Sequence, residues 1–232
     1  MTSLHLLSGG AAQGLVTQLQ GRFQAQHACG IEASFGAVGM MKDSLLAGSL
    51  CDVIILTEAL IAQLTASGDL AAGSARTLGV VKTGIARKDG DAPVLVGSPS
   101  ALKAALRAAR GIYFPDPVKA TAGIHFMNVL RRLGLDAELA GRLHPYPNGA
   151  AAMKAMAEAA GAGLLGCTQV TEILYAPGVQ LIAPLPVEFE LATRYTAAVC
   201  RRAAKPDAAH ALIALLAGAD ATALRAACGF EA

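Results

Sequence analysis

The sequence predicts an α/β fold in two lobes, each a mixed, mostly parallel sheet flanked by helices, with a two-strand hinge joining them. Three observations carry this. Short apolar runs alternate with amphipathic stretches of helical period almost from the first residue. "DVIIL" (52–56) is a continuous apolar run, as expected of a strand covered on both faces. Two long extended segments, "TLGVVKTGIARKDG" and "EFELATRYTAAVC", interrupt the alternation and divide it into two blocks. They place residues 1–83 plus 191–232 in one lobe and 84–190 in the other.

The elements follow in order. "SLHLL" reads as a strand closed by the turn Ser8-Gly9-Gly10. The helix behind it sets Ala12, Leu15, Val16, Leu19 and Phe23 on one face and Gln13, Gln20 and Arg22 off it. "GIEASF" is a second strand, ending in the loop Gly36-Ala37-Val38-Gly39, and a helix over 40–47 follows. After the first extended segment Ser98 caps a helix that begins at Pro99, turns Leu102, Ala105, Leu106 and Ala109 inward and closes at Gly111. "GIYF" is the next strand. It leads through "PDPVKA" into a helix that runs to Leu133. A helix follows Gly149, then the strand "GLLGC" and the apolar "GVQLIAPLP". Two terminal helices end the chain, the first opened by Pro206.

Composition narrows the function classes. At 232 residues the chain can bury real cores, and 54% apolar residues argue against disorder. A net charge of +2, with the basic residues scattered, leaves no footprint for nucleic acid. No run of 18 apolar residues offers a membrane span. Five widely spaced cysteines form neither a disulfide framework nor a zinc motif. No basic leader, sustained apolar stretch or cleavage site precedes the first strand. That start reads as a cytoplasmic chain with no transporter partner, or as a periplasmic one written without its signal peptide.

The chemistry is expected where strands end and helices begin, since ligands of parallel sheets gather at strand carboxyl ends. Four such ends would surround one cleft: Ser8 to Gly10, Gly36 to Gly39, Asp116 to Gly123, and Pro147 to Gly149. Each offers backbone amides and a positive dipole end to an anion. Ser8, Gly9 and Gly10 read as a cradle or as an ordinary turn. Gly36, Ala37 and Val38 form a loop small enough for a ligand to approach the backbone. Asp116 braces its loop. Lys119 is a cation for the cleft or a solvated lysine, and Thr121, Ala122 and Gly123 present amides and a hydroxyl. His125, in the first turn of its helix, is a candidate general base held neutral by the dipole; the alternative is a packed or surface histidine. Tyr146 is a ligand contact or catalytic group, or simply packs, and Asn148 is a ligand contact or an N-cap. Cys167 reads as a buried thiol more readily than as a nucleophile. "GAGLLG" (161–166) precedes a strand instead of following one, so it is no dinucleotide loop. No metal-spaced His/Cys set is present, and no cofactor is expected.

The stretches "SFGAVGMMKDSLLAGSLCDVIIL", "GIYFPDPVKATAGIHFMNVLRRLG", "LLGCTQVTEIL" and "AAHALIALLAG…LRAACGFE" together resemble the class II periplasmic solute-binding proteins, most of all the molybdate-binding branch, over nearly the whole chain. The resemblance implies an anion site between two lobes. Binders of that branch hold their oxyanion with hydroxyls; the matching positions here are Gly10, Ala37 or Val38, and Gln169. With those hydroxyls gone, molybdate and tungstate are expected to bind poorly, and Gln169 becomes the polar residue that sets specificity. The resemblance thus implies a small organic anion, a carboxylate, as ligand. It also extends to aconitate-isomerase-type members, which implies as an alternative an isomerase of an unsaturated di- or tricarboxylate acting by allylic proton shift.

Overall fold

Apolar runs become strands and the amphipathic stretches between them become helices in the computed structural model of the chain, which describes residues 2–232. In chain order the elements are β1 (Thr2–Gly9), α1 (Gln13–His27), β2 (Cys29–Gly36), α2 (Val38–Leu46), β3 (Val53–Thr57), α3 (Glu58–Ala66), β4 (Arg76–Lys88), α4 (Pro99–Ala108) and β5 (Gly111–Pro115). They continue with α5 (Thr121–Leu133), β6 (Leu143–Tyr146), α6 (Gly149–Glu158), β7 (Leu164–Gln169), α7 (Val170–Tyr175), β8 (Val179–Pro184), β9 (Ala192–Val199), α8 (Pro206–Ala217) and α9 (Thr222–Ala227). The contacts divide into two units. One holds residues up to Val81 with Thr193–Ala232, the other Lys82–Ala192.

In the first unit the strand order is β2-β1-β3-β9, with β1 parallel to both neighbours and β9 antiparallel to β3. Val53, Ile54, Ile55 and Leu56 are fully buried, which is why "DVIIL" shows no polar alternation. Leu15, Val16, Leu19 and Phe23 of α1 and Leu212, Ile213 and Leu216 of α8 close the core.

In the second unit the order is β4-β7-β5-β6, with β8 also paired to β4. β5 runs parallel to β6 and β7, and β4 antiparallel to β7. The pleat sorts side chains by parity. Ile112, Phe114, Leu165 and Cys167 join Leu102, Leu106, Phe126 and Leu130 of α4 and α5. Tyr113 and Leu164 join Ala152, Met153, Met156 and Ile173 of α6 and α7. The fold is thus α/β, with mixed sheet flanked by helices.

Several details differ from the sequence reading. The helix expected from residue 40 begins at Val38, because the chain turns helical one residue after Gly36 leaves the sheet, with Ala37 as its extended N-cap. Gly111 does not close α4. That helix ends on an extended Ala109, and Gly111 is the first residue of β5. Residues 143–146, for which the sequence predicts no strand, form β6. It lies at the end of the strand order, where the missing N–H of Pro145 breaks no ladder. Among the described residues no single helix is long and apolar enough to cross a membrane.

Candidate functional site

At the strand ends of the first unit, small residues answer to close packing. Gly9 pairs with Gly36 in the β1–β2 register. A Cβ on Gly9 would lie 2.7 Å from Val38 Cγ1 and 3.2 Å from Tyr195 Cε1, and one on Gly36 would lie 2.9 Å from Met41 Cε. The Ser8 hydroxyl is buried and donates to the Gly9 carbonyl at 2.9 Å. Gly10 opens a 3₁₀ turn into α1. Ala37 and Val38 contribute backbone and apolar surface; both side chains are buried.

In the second unit β5 delivers the chain to α5 through a braced turn. Asp116 Oδ1 accepts from the amides of Val118 at 2.6 Å and Lys119 at 2.9 Å, and the Ala120 amide donates to the Asp116 carbonyl at 3.1 Å. Thr121, Ala122 and Gly123 form the first turn of α5, so their amides precede the helix's own ladder. Lys119 is exposed. His125 is half-buried, and its Nε2 lies 2.7 Å from the Phe189 carbonyl. A carbonyl only accepts, so this nitrogen carries the proton and Nδ1 is left for other chemistry. The Arg132 guanidinium also lies 4.6 Å from the centre of the Phe189 ring. His125 therefore ties residues 187–189 to α5.

Asn148 caps α6, its side chain accepting from the Ala151 amide at 2.9 Å. The Tyr146 ring stacks at 6.0 Å on Tyr113, whose hydroxyl is pushed above its ordinary pKa by burial and by Tyr146. Cys167 is fully buried, and burial drives its thiol well above the ordinary range, which suits a packing role.

The end of β7 gathers polar groups around Gln169, and two of them, Thr83 and Glu172, sequence reading missed. Thr168 donates its hydroxyl to Glu172 Oε2, and both residues are buried. A Cβ on Gly149 would come within 2.5 Å of Glu172 Cδ, so only glycine lets α6 begin there. Burial lifts Glu172 from the ordinary carboxylate value of 4.5 to about 6, against the pull of hydrogen bonds from the Thr168 hydroxyl and the backbone at Gln169 and Gly149. Beside it, Gln169 is 3% exposed, and neither its Nε2 nor its Oε1 has a hydrogen-bond partner among the described residues. Thr83 stands directly opposite Gln169 in the β4–β7 ladder, so the two side chains share one face of the sheet; the Thr83 hydroxyl is buried and equally unpartnered. Buried polar atoms without partners cost about 1–3 kcal/mol each. A protein that keeps three of them on one paired position has reason to fill them from outside. A lone Glu on a short helix and a Thr in an apolar strand carry no signal of this kind in sequence. Only the register reveals it.

The raised Glu172 value sets a pH dependence. Its protonated form is favoured by folding, so the associated stability is complete below pH 4.5 and is lost as pH rises through about 6. A shift of this size corresponds to about 2 kcal/mol. Urea titrations should therefore show wild type losing about that much relative to Glu172→Gln between roughly pH 4.5 and pH 7.5. A difference that stays flat with pH would place Glu172 in contact with more water or a counter-charge than its burial indicates.

Among the described residues no group of three or more His, Cys, Asp or Glu side chains could hold a metal ion. Comparison with known proteins gives four matches that bear on the site. A family model described as bacterial extracellular solute-binding protein matches residues 4–231. An aconitate isomerase from a Pseudomonas species is 25% identical over 229 residues, covering 95% of this chain and 84% of that protein. The periplasmic molybdate-binding protein of Azotobacter vinelandii superposes with a TM-score of 0.81 at 21% identity over 99% of both chains. The sulfate-binding protein SubI of Mycobacterium tuberculosis H37Rv does so with a TM-score of 0.69 at 16% identity, over 99% of this chain and 86% of that one. At such identities the two structures share the fold.

Proposed function

The chain belongs to the bacterial extracellular solute-binding proteins, and from that premise we propose that it binds a small organic anion, a carboxylate that also carries a hydrogen-bond donor, at the β7 end of the second unit. The observation that carries this reading is Gln169. An amide presents one donor and one acceptor group whichever way it is turned, and both are buried and unpartnered here. A fully ionised oxyanion such as molybdate only accepts, so it would leave the Gln169 oxygen unmatched. A carboxylate bearing a hydroxyl or an un-ionised second carboxyl satisfies both groups, and the Thr83 hydroxyl adds a contact that can act either way. The amides of Thr121, Ala122 and Gly123, with Lys119, suit the remaining charge.

Calorimetric titration with a panel of di- and tricarboxylates, molybdate and tungstate tests the reading. A carboxylate should bind, and the metal oxyanions should bind only in about the millimolar range. Gln169→Ala should weaken the carboxylate about 10- to 30-fold, as expected for hydrogen bonds to a charged partner. Molybdate binding near or below about a micromolar constant would overturn the reading.

A second reading is favoured by the aconitate isomerase relative. Under it the bound acid loses a proton from carbon and regains one at the allylic position. The base must sit near neutrality to take and return that proton. Glu172, titrating at about 6, suits the task better than His125, whose Nε2 is engaged with Phe189, or Tyr146, whose ring is stacked on Tyr113.

A further inference from the structure

The first unit carries a second cluster that the reading above does not use. β1 and β3 are parallel and β9 runs against β3, so the starts of β1 and β3 and the end of β9 lie on one side. Asp52 fastens them: its Oδ2 accepts from the His5 amide at 2.8 Å, its Oδ1 from the Lys205 amide at 2.9 Å, and its carbonyl from the Cys200 amide at 2.9 Å. Cys51 and Cys200 flank this knot. The Cys200 thiol donates to Cys51 Sγ at 2.9 Å, and the Cys51 thiol donates to the Val53 carbonyl at 3.1 Å. Both are buried, Cys51 at 8% exposure and Cys200 at 2%, yet both line a cavity of about 660 Å³ whose rim includes the exposed residues Ser49, Arg201 and Arg202.

We propose that Cys51 and Cys200 are a disulfide-forming site, oxidised by a small disulfide that enters through this cavity. The backbone at Cys200 and at Asp52, the residue after Cys51, is held by hydrogen bonds, and the sulfurs need to approach by less than about 1 Å to reach bonding distance. The oxidation balances as thiol–disulfide exchange. Cys51, the more exposed of the two, attacks the incoming disulfide after giving its proton to solvent, and one thiolate leaves. Cys200 then gives up its proton and attacks the Cys51 sulfur, and the second thiolate leaves. The two protons end on the two departing thiols, and the two electrons pass from the cysteine pair to the reagent. The neighbouring Cys51 sulfur and burial hold the Cys200 thiol well above its ordinary pKa, which assigns the first attack to Cys51. The product ties positions 149 residues apart and encloses the whole second unit in one covalent loop.

The test is made on the full-length reduced protein with oxidised glutathione as the reagent. Thiols are then counted under denaturing conditions, and peptides are mapped by mass spectrometry. The five thiols should fall by two, the mass should drop by two hydrogens, and one peptide pair should join Cys51 to Cys200. The thermal midpoint should rise by several degrees and return when dithiothreitol is added, because the bond restricts the unfolded chain. Cys51→Ser and Cys51→Ala should each abolish the loss of two thiols; Cys167→Ser should leave it intact. Five thiols surviving the oxidant, a glutathione adduct at Cys51 that never closes, or a bond joining any other pair overturns the proposal. The peptide map of wild type decides the matter even if a variant fails to fold.

Discussion

Gly123→Ala is expected to destabilise the protein by about 3 kcal/mol or more, a lowering of the thermal midpoint by roughly 6–12 °C for a chain of this size. Gly123 lies in the first turn of α5, where the helix passes against the end of β5. An added Cβ would run into the carbonyls of Pro115 and Asp116 and lie 2.7 Å from the Asp116 carbonyl carbon. These are backbone atoms fixed by the pairing of β5 with β6 and by the Asp116 turn, so no side chain can swing aside. The helix must shift instead, taking with it Phe126, Val129 and Leu130, all fully buried. Gly21→Ala is the contrasting case. Gly21 is an exposed position inside α1 with nothing near its missing Cβ, and there the same change should stabilise by about 0.5–1 kcal/mol. Calorimetric melting of the two variants beside the parent checks both signs. A Gly123→Ala midpoint within about 2 °C of the parent would mean that α5 is not seated against the strand as described.

The same glycine shows what a sequence can and cannot disclose. That "FPDPVKATAG" is a strand-to-helix crossing was legible from its prolines, its Asp and the apolar period behind it. That Gly123 is there for a backbone contact was not, because the partner is a carbonyl and carries no residue identity. The inward faces of α1 and α4 were legible, since 3.6-residue spacing is written in the order of side chains. Helices α3 and α7 were not, being only nine and six residues long and following directly on strands. The candidate site divides the same way. Gln169 was found through the resemblance of its surroundings, and Asn148 through its capping position. Thr83 and Glu172 became visible only with the β4–β7 register and the approach of Gly149, both of which join residues far apart in the chain. Cys51 and Cys200 meet for the same reason, just outside the paired ends of β3 and β9, whose pairing no local pattern announces.

If the protein isomerises its ligand, incubation with cis- or trans-aconitate in deuterated water should label the transferred position, and Glu172→Gln should lower that exchange by about 100-fold or more, the usual worth of a positioned base. Glu172 is a base only when ionised, so exchange in the wild type should rise with pH through about 6 and level off above it. The variant has no carboxyl to ionise and should show neither the level nor the inflection. His125→Ala separates the two histidine roles. If the imidazole only ties residues 187–189 to α5 through the Phe189 carbonyl, the variant should melt earlier yet keep exchange within a few-fold of wild type. Loss of exchange in His125→Ala with Glu172→Gln unaffected would transfer the base to His125 Nδ1, and retention in both would turn attention to Tyr146. Tight binding of the acid with no label at any pH would leave the carrier reading standing alone. The charge that develops on the carboxylate after proton removal needs donors already in place, since water admitted to a buried site would quench a base held near 6 by burial. Gln169 and Thr83 are such donors, so Gln169→Ala should reduce exchange by more than it weakens binding. Equal losses in the two measurements would restrict Gln169 to recognition of the bound acid.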